Sequence, residues 1–195
     1  MKILLRSIII FVLMVLTAGL ATAQEIQSIV QSPLGGIAVG PSGPTSALIH
    51  AQPYCCPSTA LEVRADSVVE EGDFQWVLFG FSIPMEKNMR AISGIEVCYE
   101  IKSDVPGRTY ISQTRLTDMS IPDAANIKVD DGTDRTELGP QCYVTSGRFT
   151  PDGAVTLHLK VVFGGTGDAI IIGSTRLLLD HSAPSLTAPI MLLLK

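Results

Sequence analysis

Two of the four cysteines in the chain are adjacent, in the stretch QPYCCPSTA. Cys55 and Cys56 could belong to a disulfide framework, a redox pair or a metal site. A metal site is disfavoured because the spacing is not Cys-x-x-Cys and only His50 lies close by in sequence. The other two cysteines, Cys98 and Cys142, each precede a tyrosine within runs of strand-forming residues.

We predict a disulfide between Cys98 and Cys142, which would tie together two distant strands. In the loop-entropy model such a bridge stabilises the fold by about 4 kcal/mol. Cys55 and Cys56 would then bond to each other or to a partner chain. Four cysteines allow three connectivities, so the alternative is that each of these two bonds one strand cysteine.

The segment VDDGTDRTE holds the densest group of carboxylates in the chain. Its acidic residues are Asp130, Asp131, Asp134 and Glu137. Calcium prefers several carboxylate and carbonyl oxygens on a loop, which makes this segment the candidate calcium site. The spacing does not match an EF-hand, and Asp-Gly is a hairpin signal that requires no metal. We therefore predict a solvated turn, with calcium as the alternative and no other cofactor.

No residue pattern in the chain is typical of a catalytic site. Glu96 and Glu100 share one face of a predicted strand, about 13 Å apart at about 3.3 Å per residue. Glycosidase carboxylates stand about 5 to 9.5 Å apart, so these two do not form such a pair. His50, His158 and His181 lack the spacing of metal ligands, and no Gly-x-Ser-x-Gly elbow is present. We predict no catalytic residue and structural roles for the histidines.

One candidate ligand-binding set lies in the stretch RTYISQTRLTD. Tyr110, Gln113 and Arg115 offer hydrogen-bonding groups that could line an open face of a sheet. Sugars often stack on exposed aromatic rings, but aromatic residues make up only 6% of the chain. Its only tryptophan, Trp76, lies in DFQWVLFGFSIP, which is apolar on both strand faces and therefore predicts a core position.

The first 23 residues have the order of a secretory signal peptide. Lys2 and Arg6 precede an apolar run over residues 8–16, and Ala-Thr-Ala follows before Gln24. We expect cleavage after Ala23. The apolar run is near the lower limit for spanning a bilayer. The mature chain is therefore expected to be secreted or periplasmic, and not an integral membrane protein.

Cleavage would make the chain more acidic. The signal peptide carries two of the 14 basic residues and none of the 19 acidic ones, which leaves 12 basic against 19 acidic residues, a formal charge of −7. An acidic exported protein is a poor candidate for binding nucleic acid, which is not expected as a partner. About 170 mature residues suit a single domain.

The chain divides at about residue 60. Residues 24–59 are poor in charge and rich in Gly and Pro, which predicts a flexible arm or linker with a short strand or two. Residues 60–195 hold runs of β-branched and aromatic residues separated by turn residues. The eight runs are 60–69, 74–83, 89–102, 108–120, 127–137, 142–149, 154–163 and 169–180.

Two of these runs alternate clearly between apolar and polar residues. The apolar sets are Ile95, Val97, Tyr99 and Ile101 in one run, and Val155, Leu157, Leu159, Val161 and Phe163 in the other. Such alternation predicts antiparallel strands with one buried face. No segment has the pattern of a long helix. We predict an all-β fold, an antiparallel β-sandwich with a jelly roll of about eight strands, over an immunoglobulin-like topology.

An exported β-sandwich without catalytic motifs is expected to be a non-enzymatic binding or structural module. Its expected partner is an extracellular glycan, another polymer or a protein. One alternative is a surface protein that self-assembles into a homo-oligomer, for which the apolar tail SLTAPIMLLLK could supply an interface. A second alternative is a hydrolase for an extracellular substrate, built from scattered carboxylates.

Overall fold

The computed structural model describes residues 27–39, 49–54, 60–66, 71–83, 91–121 and 124–180. These residues hold strands and one 3-10 turn, Pro33–Gly35, and no α-helix. The strands are β1 Gln27–Gln31, β2 Ile37–Val39, β3 Ile49–Pro53, β4 Leu61–Ala65, β5 Asp73–Phe81, β6 Ile92–Lys102, β7 Tyr110–Ile121, β8 Ala124–Asp131, β9 Gln141–Phe149, β10 Ala154–Phe163 and β11 Ala169–Leu179.

The strands form two antiparallel sheets. The six-stranded sheet has the order β3-β4-β11-β6-β9, with β1 also paired to β11, and the five-stranded sheet has the order β2-β5-β10-β7-β8. Between β4 and β11 the chain passes from one sheet to the other at every connection except β7–β8. Four strands of each sheet therefore form an eight-stranded jelly roll, which confirms the predicted fold class.

The core lies between the two sheets. All five apolar residues predicted to share a face of β10, from Val155 to Phe163, are fully buried. On the six-stranded sheet, Ile95 and Val97 of β6 are fully buried as well. Burying one such side chain is worth about 1.5–3 kcal/mol, so this continuous apolar layer is what holds the sheets together.

The run predicted as one strand over residues 127–137 differs from the structure. β8 begins earlier, at Ala124, and ends at Asp131. Residues 132–140 then cross from β8, at the edge of one sheet, to β9, at the edge of the other. Arg135 holds this connection in place, because its backbone forms two hydrogen bonds with the backbone of Ile111, of 2.9 and 3.2 Å. Its guanidinium carbon also lies 4.4 Å from the centre of the Tyr143 ring.

The described part of the Gly- and Pro-rich arm extends both sheets. β1 pairs with β11, β2 with β5 and β3 with β4. Short strands were expected here, and the structure has three of them. The division between arm and domain after residue 59 stays a prediction. The signal peptide and the apolar tail lie outside the described residues. Within the described residues, no helix is long and apolar enough to cross a membrane.

The predicted disulfide is present. Cys98 of β6 and Cys142 of β9 are directly opposite each other, with their Cα atoms 4.0 Å apart, and their sulfur atoms are bonded. This pairing leaves neither strand cysteine for the adjacent pair, so the alternative connectivity is wrong. Cys55 and Cys56 themselves lie outside the described residues.

Candidate functional site

The outer face of the five-stranded sheet gathers aromatic and polar side chains. Val77, Phe79, Leu157 and Leu159 are buried in the core, so their neighbours along β5 and β10 point outward. Directly opposite residues on neighbouring strands share a face. One row across the sheet is Val39, Trp76, Lys160 and Gln113, and the next is Ile37, Leu78, His158, Arg115 and Asp130. We call these two rows, with the flanking row of Phe74, Val162 and Tyr110, the outer face.

Trp76 lies on the outer face and is partly exposed, so its predicted core position is wrong. Its ring meets the His158 ring edge to face, with the centroids 6.3 Å apart. The guanidinium carbon of Arg115 lies 5.5 Å from the centre of the indole. β5 is apolar on both faces because the outer face also carries Phe74 and Leu78. A strand that is buried on both faces has the same apolar pattern, so the sequence could not distinguish a partly exposed Trp76 from a buried one.

Arg115, Gln113 and Asp130 form a connected polar group beside the indole. Arg115 donates from Nε to Asp130 Oδ1 at 3.3 Å and from Nη2 to Oδ2 at 3.0 Å. Gln113 donates from Nε2 to the same Oδ1. The guanidinium of Arg115 holds the pKa of Asp130 below its usual range. The group therefore offers a charged acceptor and several donors in a fixed arrangement.

His158 of β10 lies between the Trp76 indole on β5 and the neighbouring strand β7. Its Nε2 lies 3.0 Å from Thr117 Oγ1, and the ring is half-buried. Burial, and then the nearby charge of Arg115, lower the pKa of His158 below its usual value. The ring is consequently neutral at neutral pH and can either donate or accept a hydrogen bond.

The structure brings two of the three predicted ligand-binding residues together. Gln113 and Arg115 share the contact with Asp130. Tyr110 lies on the same outer face but toward the start of β7, where it is in register with Val162. The sequence analysis missed Trp76 and Asp130 as members of this face. Asp130 could have been assigned to this face only from the pairing of β7 with β8, which places it opposite Arg115. The sequence does not specify that pairing.

The acidic residues of VDDGTDRTE are not brought to one point. Asp130 lies on the outer face, whereas Asp131 turns the other way and bonds Arg135 at 2.7 Å and Thr145 at 2.8 Å. Burial raises the pKa of Asp131, but hydrogen bonds from Thr133 and Thr145 outweigh this effect and lower the pKa. Both carboxylates therefore already have donors from the protein.

Glu137 and Asp134 lie further along the same connection. Glu137 is exposed and accepts a hydrogen bond of 3.2 Å from the Tyr99 hydroxyl. Hydrogen bonds from its own backbone N–H and from Tyr99 lower the pKa of Glu137. Asp134 is exposed to solvent. In the part of the chain that the structure describes, no three Asp, Glu, His or Cys side chains cluster as metal ligands would, and calcium binding stays a prediction.

A depression lies on the six-stranded sheet. It has a volume of about 310 Å³ and is lined by Cys98, Tyr99, Glu100, Pro140, Gln141, Cys142, Ile171 and Gly173. Tyr99 is buried within the core, so its ring does not offer a face to a ligand. The lining is mostly apolar, with Glu100 as its one charged member. It lacks the combination of exposed ring and paired polar groups that the outer face has.

No protein-family model and no curated protein matches this chain. Among solved structures, it is similar to the xylan-binding domain CBM22-1 of Xyn10C from Paenibacillus barcinonensis, at 10% identity over 83% of this chain and 99% of that one, with a TM-score of 0.47. The C-terminal CBM6 of LamC from Zobellia galactanivorans is 11% identical over 77% and 98% of the two chains, with a TM-score of 0.40. A family 11 carbohydrate-binding module from Clostridium thermocellum is 10% identical over 84% and 94%, with a TM-score of 0.39. These are similarities of fold.

Proposed function

We propose that this chain is a non-enzymatic module that binds a glycan on the outer face of the five-stranded sheet. The observation that carries the proposal is the partly exposed indole of Trp76 beside the Arg115–Asp130 pair. A flat apolar ring suits the C–H face of a sugar. The neighbouring guanidinium and amide groups suit its hydroxyls.

Preorganisation of the polar groups supports the same conclusion. Asp130 is held by both Arg115 and Gln113, and Arg115 is held between Asp130 and the Trp76 ring. Side chains that are already fixed lose little rotamer entropy when a ligand binds. A small number of placed polar groups around an apolar surface is the usual composition of a ligand site.

The carboxylates of this face support binding over hydrolysis. Glycoside hydrolysis uses two carboxyl groups, one of which has a raised pKa. In the described part of the outer face the only carboxylate is that of Asp130, and Arg115 lowers its pKa. The hydrolase alternative would require a second carboxylate across the indole, where the structure places Lys160 and Val39.

Binding to immobilised glycans, followed by titration calorimetry, tests the proposal. We expect Trp76→Ala to weaken binding at least about tenfold, because stacking on the indole is lost. Tyr54→Ala is the matched control, since Tyr54 is a partly exposed ring on the six-stranded sheet. Circular dichroism should show the same β-sheet content for both variants. Wild-type affinity in Trp76→Ala, or no glycan bound by the wild type, would contradict the proposal.

Export of the protein is part of the proposal. The basic, apolar and Ala-Thr-Ala order of residues 1–23 and the bonded Cys98–Cys142 pair both support it. N-terminal sequencing of the protein recovered outside the cytoplasm should begin at Gln24.

Self-assembly is the second candidate function, and one observation favours it. The β7–β8 hairpin exposes three apolar side chains: Met119 at 38%, Ile121 at 54% and Ile127 at 53%. Exposed apolar groups that cluster on neighbouring strands are typical of protein interfaces. Light scattering at high protein concentration tests this, and Ile127→Lys should return any oligomer to monomer.

A further inference from the structure

The outer face carries the opposite charge from the chain. The whole sequence has a formal charge of −5. In the described part of the outer face, however, Lys160 and Arg115 stand against the single carboxylate of Asp130. Lys160 and Arg115 are diagonal neighbours on β10 and β7, with Cα atoms about 7–8 Å apart. The net charge of this face is therefore positive, although the net charge of the whole chain is negative.

Lys160 differs from most of the other lysine and arginine side chains that the structure describes. Seven arginine and lysine side chains lie within 4.0 Å of a carboxylate oxygen: Arg64, Arg108, Arg115, Lys128, Arg135, Arg148 and Arg176. Among the described residues, Lys160 has no such partner. Its Nζ lies instead 4.2 Å from the centre of the Phe74 ring.

A ring contact leaves the donors of an ammonium available. A lysine ammonium has three N–H donors, and an aromatic face holds its charge without accepting them as a carboxylate would. Arg115, in contrast, already directs Nε and Nη2 to Asp130. Lys160 thus keeps its ammonium donors for an incoming anion, whereas Arg115 has already directed two of its N–H groups to Asp130 and adds its remaining donors and its charge.

The indole and the ammonium are suitably placed for one sugar unit. Trp76 and Lys160 are directly opposite each other on β5 and β10, which puts their Cβ atoms about 4.5–5.5 Å apart. A sugar ring stacked on Trp76 would therefore present a charged substituent next to Lys160. A carboxylate or sulfate oxygen there would accept a charge-assisted hydrogen bond.

We infer that the glycan bound by the outer face is anionic and that Lys160 recognises its carboxylate or sulfate groups. The inference rests on the proposed glycan binding and names the chemical class of its ligand. A uronic acid and a sulfated sugar share the chemistry that Lys160 would recognise, and the experiment below separates these two sources.

The experiment measures the affinities of the full mature chain for polygalacturonate, a sulfated galactan and a neutral galactan. We expect at least one anionic polymer to bind at least about tenfold more tightly than the neutral one. This preference should shrink between about 0.01 M and about 1 M salt, where the Debye length falls from about 30 Å to about 3 Å. Tighter binding of polygalacturonate would identify a carboxylate as the recognised group, and tighter binding of the sulfated galactan would identify a sulfate.

Lys160→Gln should abolish the preference for the anionic polymer. Lys102→Gln is the matched control, because the Lys102 ammonium also lies over a ring, 4.4 Å from the centre of Tyr54, but on the six-stranded sheet. The control should keep the preference. Thermal unfolding of both variants checks that the fold is retained.

Two results would overturn the inference while leaving glycan binding intact. In the first, the wild type binds the neutral polymer as tightly as both anionic polymers, and Trp76→Ala loses its affinity for all three. The other is an anionic preference that survives in Lys160→Gln. Failure of the wild type to bind any polymer, or unchanged binding in Trp76→Ala, would instead overturn the proposed function, and this inference with it.

Discussion

Arg115 and Asp130 face each other across β7 and β8 through two contacts, Nε to Oδ1 at 3.3 Å and Nη2 to Oδ2 at 3.0 Å. The pair is partly exposed, with 39% of the Asp130 side chain accessible, so it is worth less than about 1 kcal/mol to stability. Its main effect is to hold the guanidinium near the Trp76 ring.

We expect Asp130→Asn to tighten the binding of an anionic glycan with little change in stability. Asparagine has the same shape and can still accept from Arg115, while the described part of the outer face loses its carboxylate. Calorimetric titration and thermal unfolding measure the two effects. Asp104→Asn, in an exposed loop, removes the same charge away from this face and should leave the affinity unchanged. Loss of binding in Asp130→Asn would mean that the carboxylate itself accepts hydrogen bonds from the sugar.

Asp118 is a buried carboxylate that holds the turn between β9 and β10. Its two oxygens each accept a backbone hydrogen bond of 2.9 Å, one from Asp152 and one from Gly153. Gly153 packs tightly, since an added Cβ would lie 2.2 Å from the Met119 carbonyl oxygen. The turn therefore depends on Asp118 to accept its backbone N–H groups and on the absence of a side chain at Gly153.

We expect Asp118→Ala to lower the free energy of unfolding by about 2 to 4 kcal/mol, because two backbone N–H groups of the turn lose their buried acceptor. Urea denaturation followed by tryptophan fluorescence measures this change. Asp152→Ala, an exposed change in the same turn, is the control and should stay within about 0.5 kcal/mol of the wild type. Equal stabilities for the two variants would show that the turn does not need the buried carboxylate.

The strands could be predicted because their periodicity reflects burial on one side. In β10, every second residue from Val155 to Phe163 faces the core, and the sequence alternates accordingly. The end of β8 could not be predicted in this way. It is set by the crossing between the sheets, where Arg135 pairs with Ile111, a contact between residues distant in sequence.

The candidate site could be predicted only in part, for a related reason. Gln113 and Arg115 are polar residues of a strand, which is enough to place them on an open face. Trp76 could not be assigned, because an apolar outer face and a buried face have the same sequence pattern. The meeting of Arg115 with Asp130 depends on the register of β7 with β8, which shifts at Leu116/Thr117.

The Cys98–Cys142 disulfide should contribute several kcal/mol to stability. It closes a loop with a sequence separation of 44 between β6 and β9. In the loop-entropy model, replacing both cysteines with serine should cost about 4 kcal/mol. Both positions are at least partly exposed, so serine adds no buried polar group. Guanidinium denaturation measures the loss, and reducing agent should destabilise the wild type but not the double variant.

Non-reducing peptide mapping provides an independent check of the pairing. It should recover one cross-linked species that contains Cys98 and Cys142. A cross-link from either of them to Cys55 or Cys56 would contradict the structure, whatever the stability of the serine variant.

The half-buried ring of His158 should make the protein less stable in mild acid. Burial and the charge of Arg115 lower the pKa of His158 in the fold, so the unfolded chain binds the proton more readily. The contribution of neutral His158 is thus fully present above the unfolded pKa of about 6.5 and is lost as the pH falls through the lower folded pKa. Urea denaturation between about pH 7.5 and 4.5 should show this fall in the free energy of unfolding. In His158→Gln, the free energy of unfolding should fall less steeply with decreasing pH. Thr156→Gln, two residues away on the same strand, is the control and should show the same pH dependence as the wild type. The same pH dependence in all three proteins would contradict the prediction.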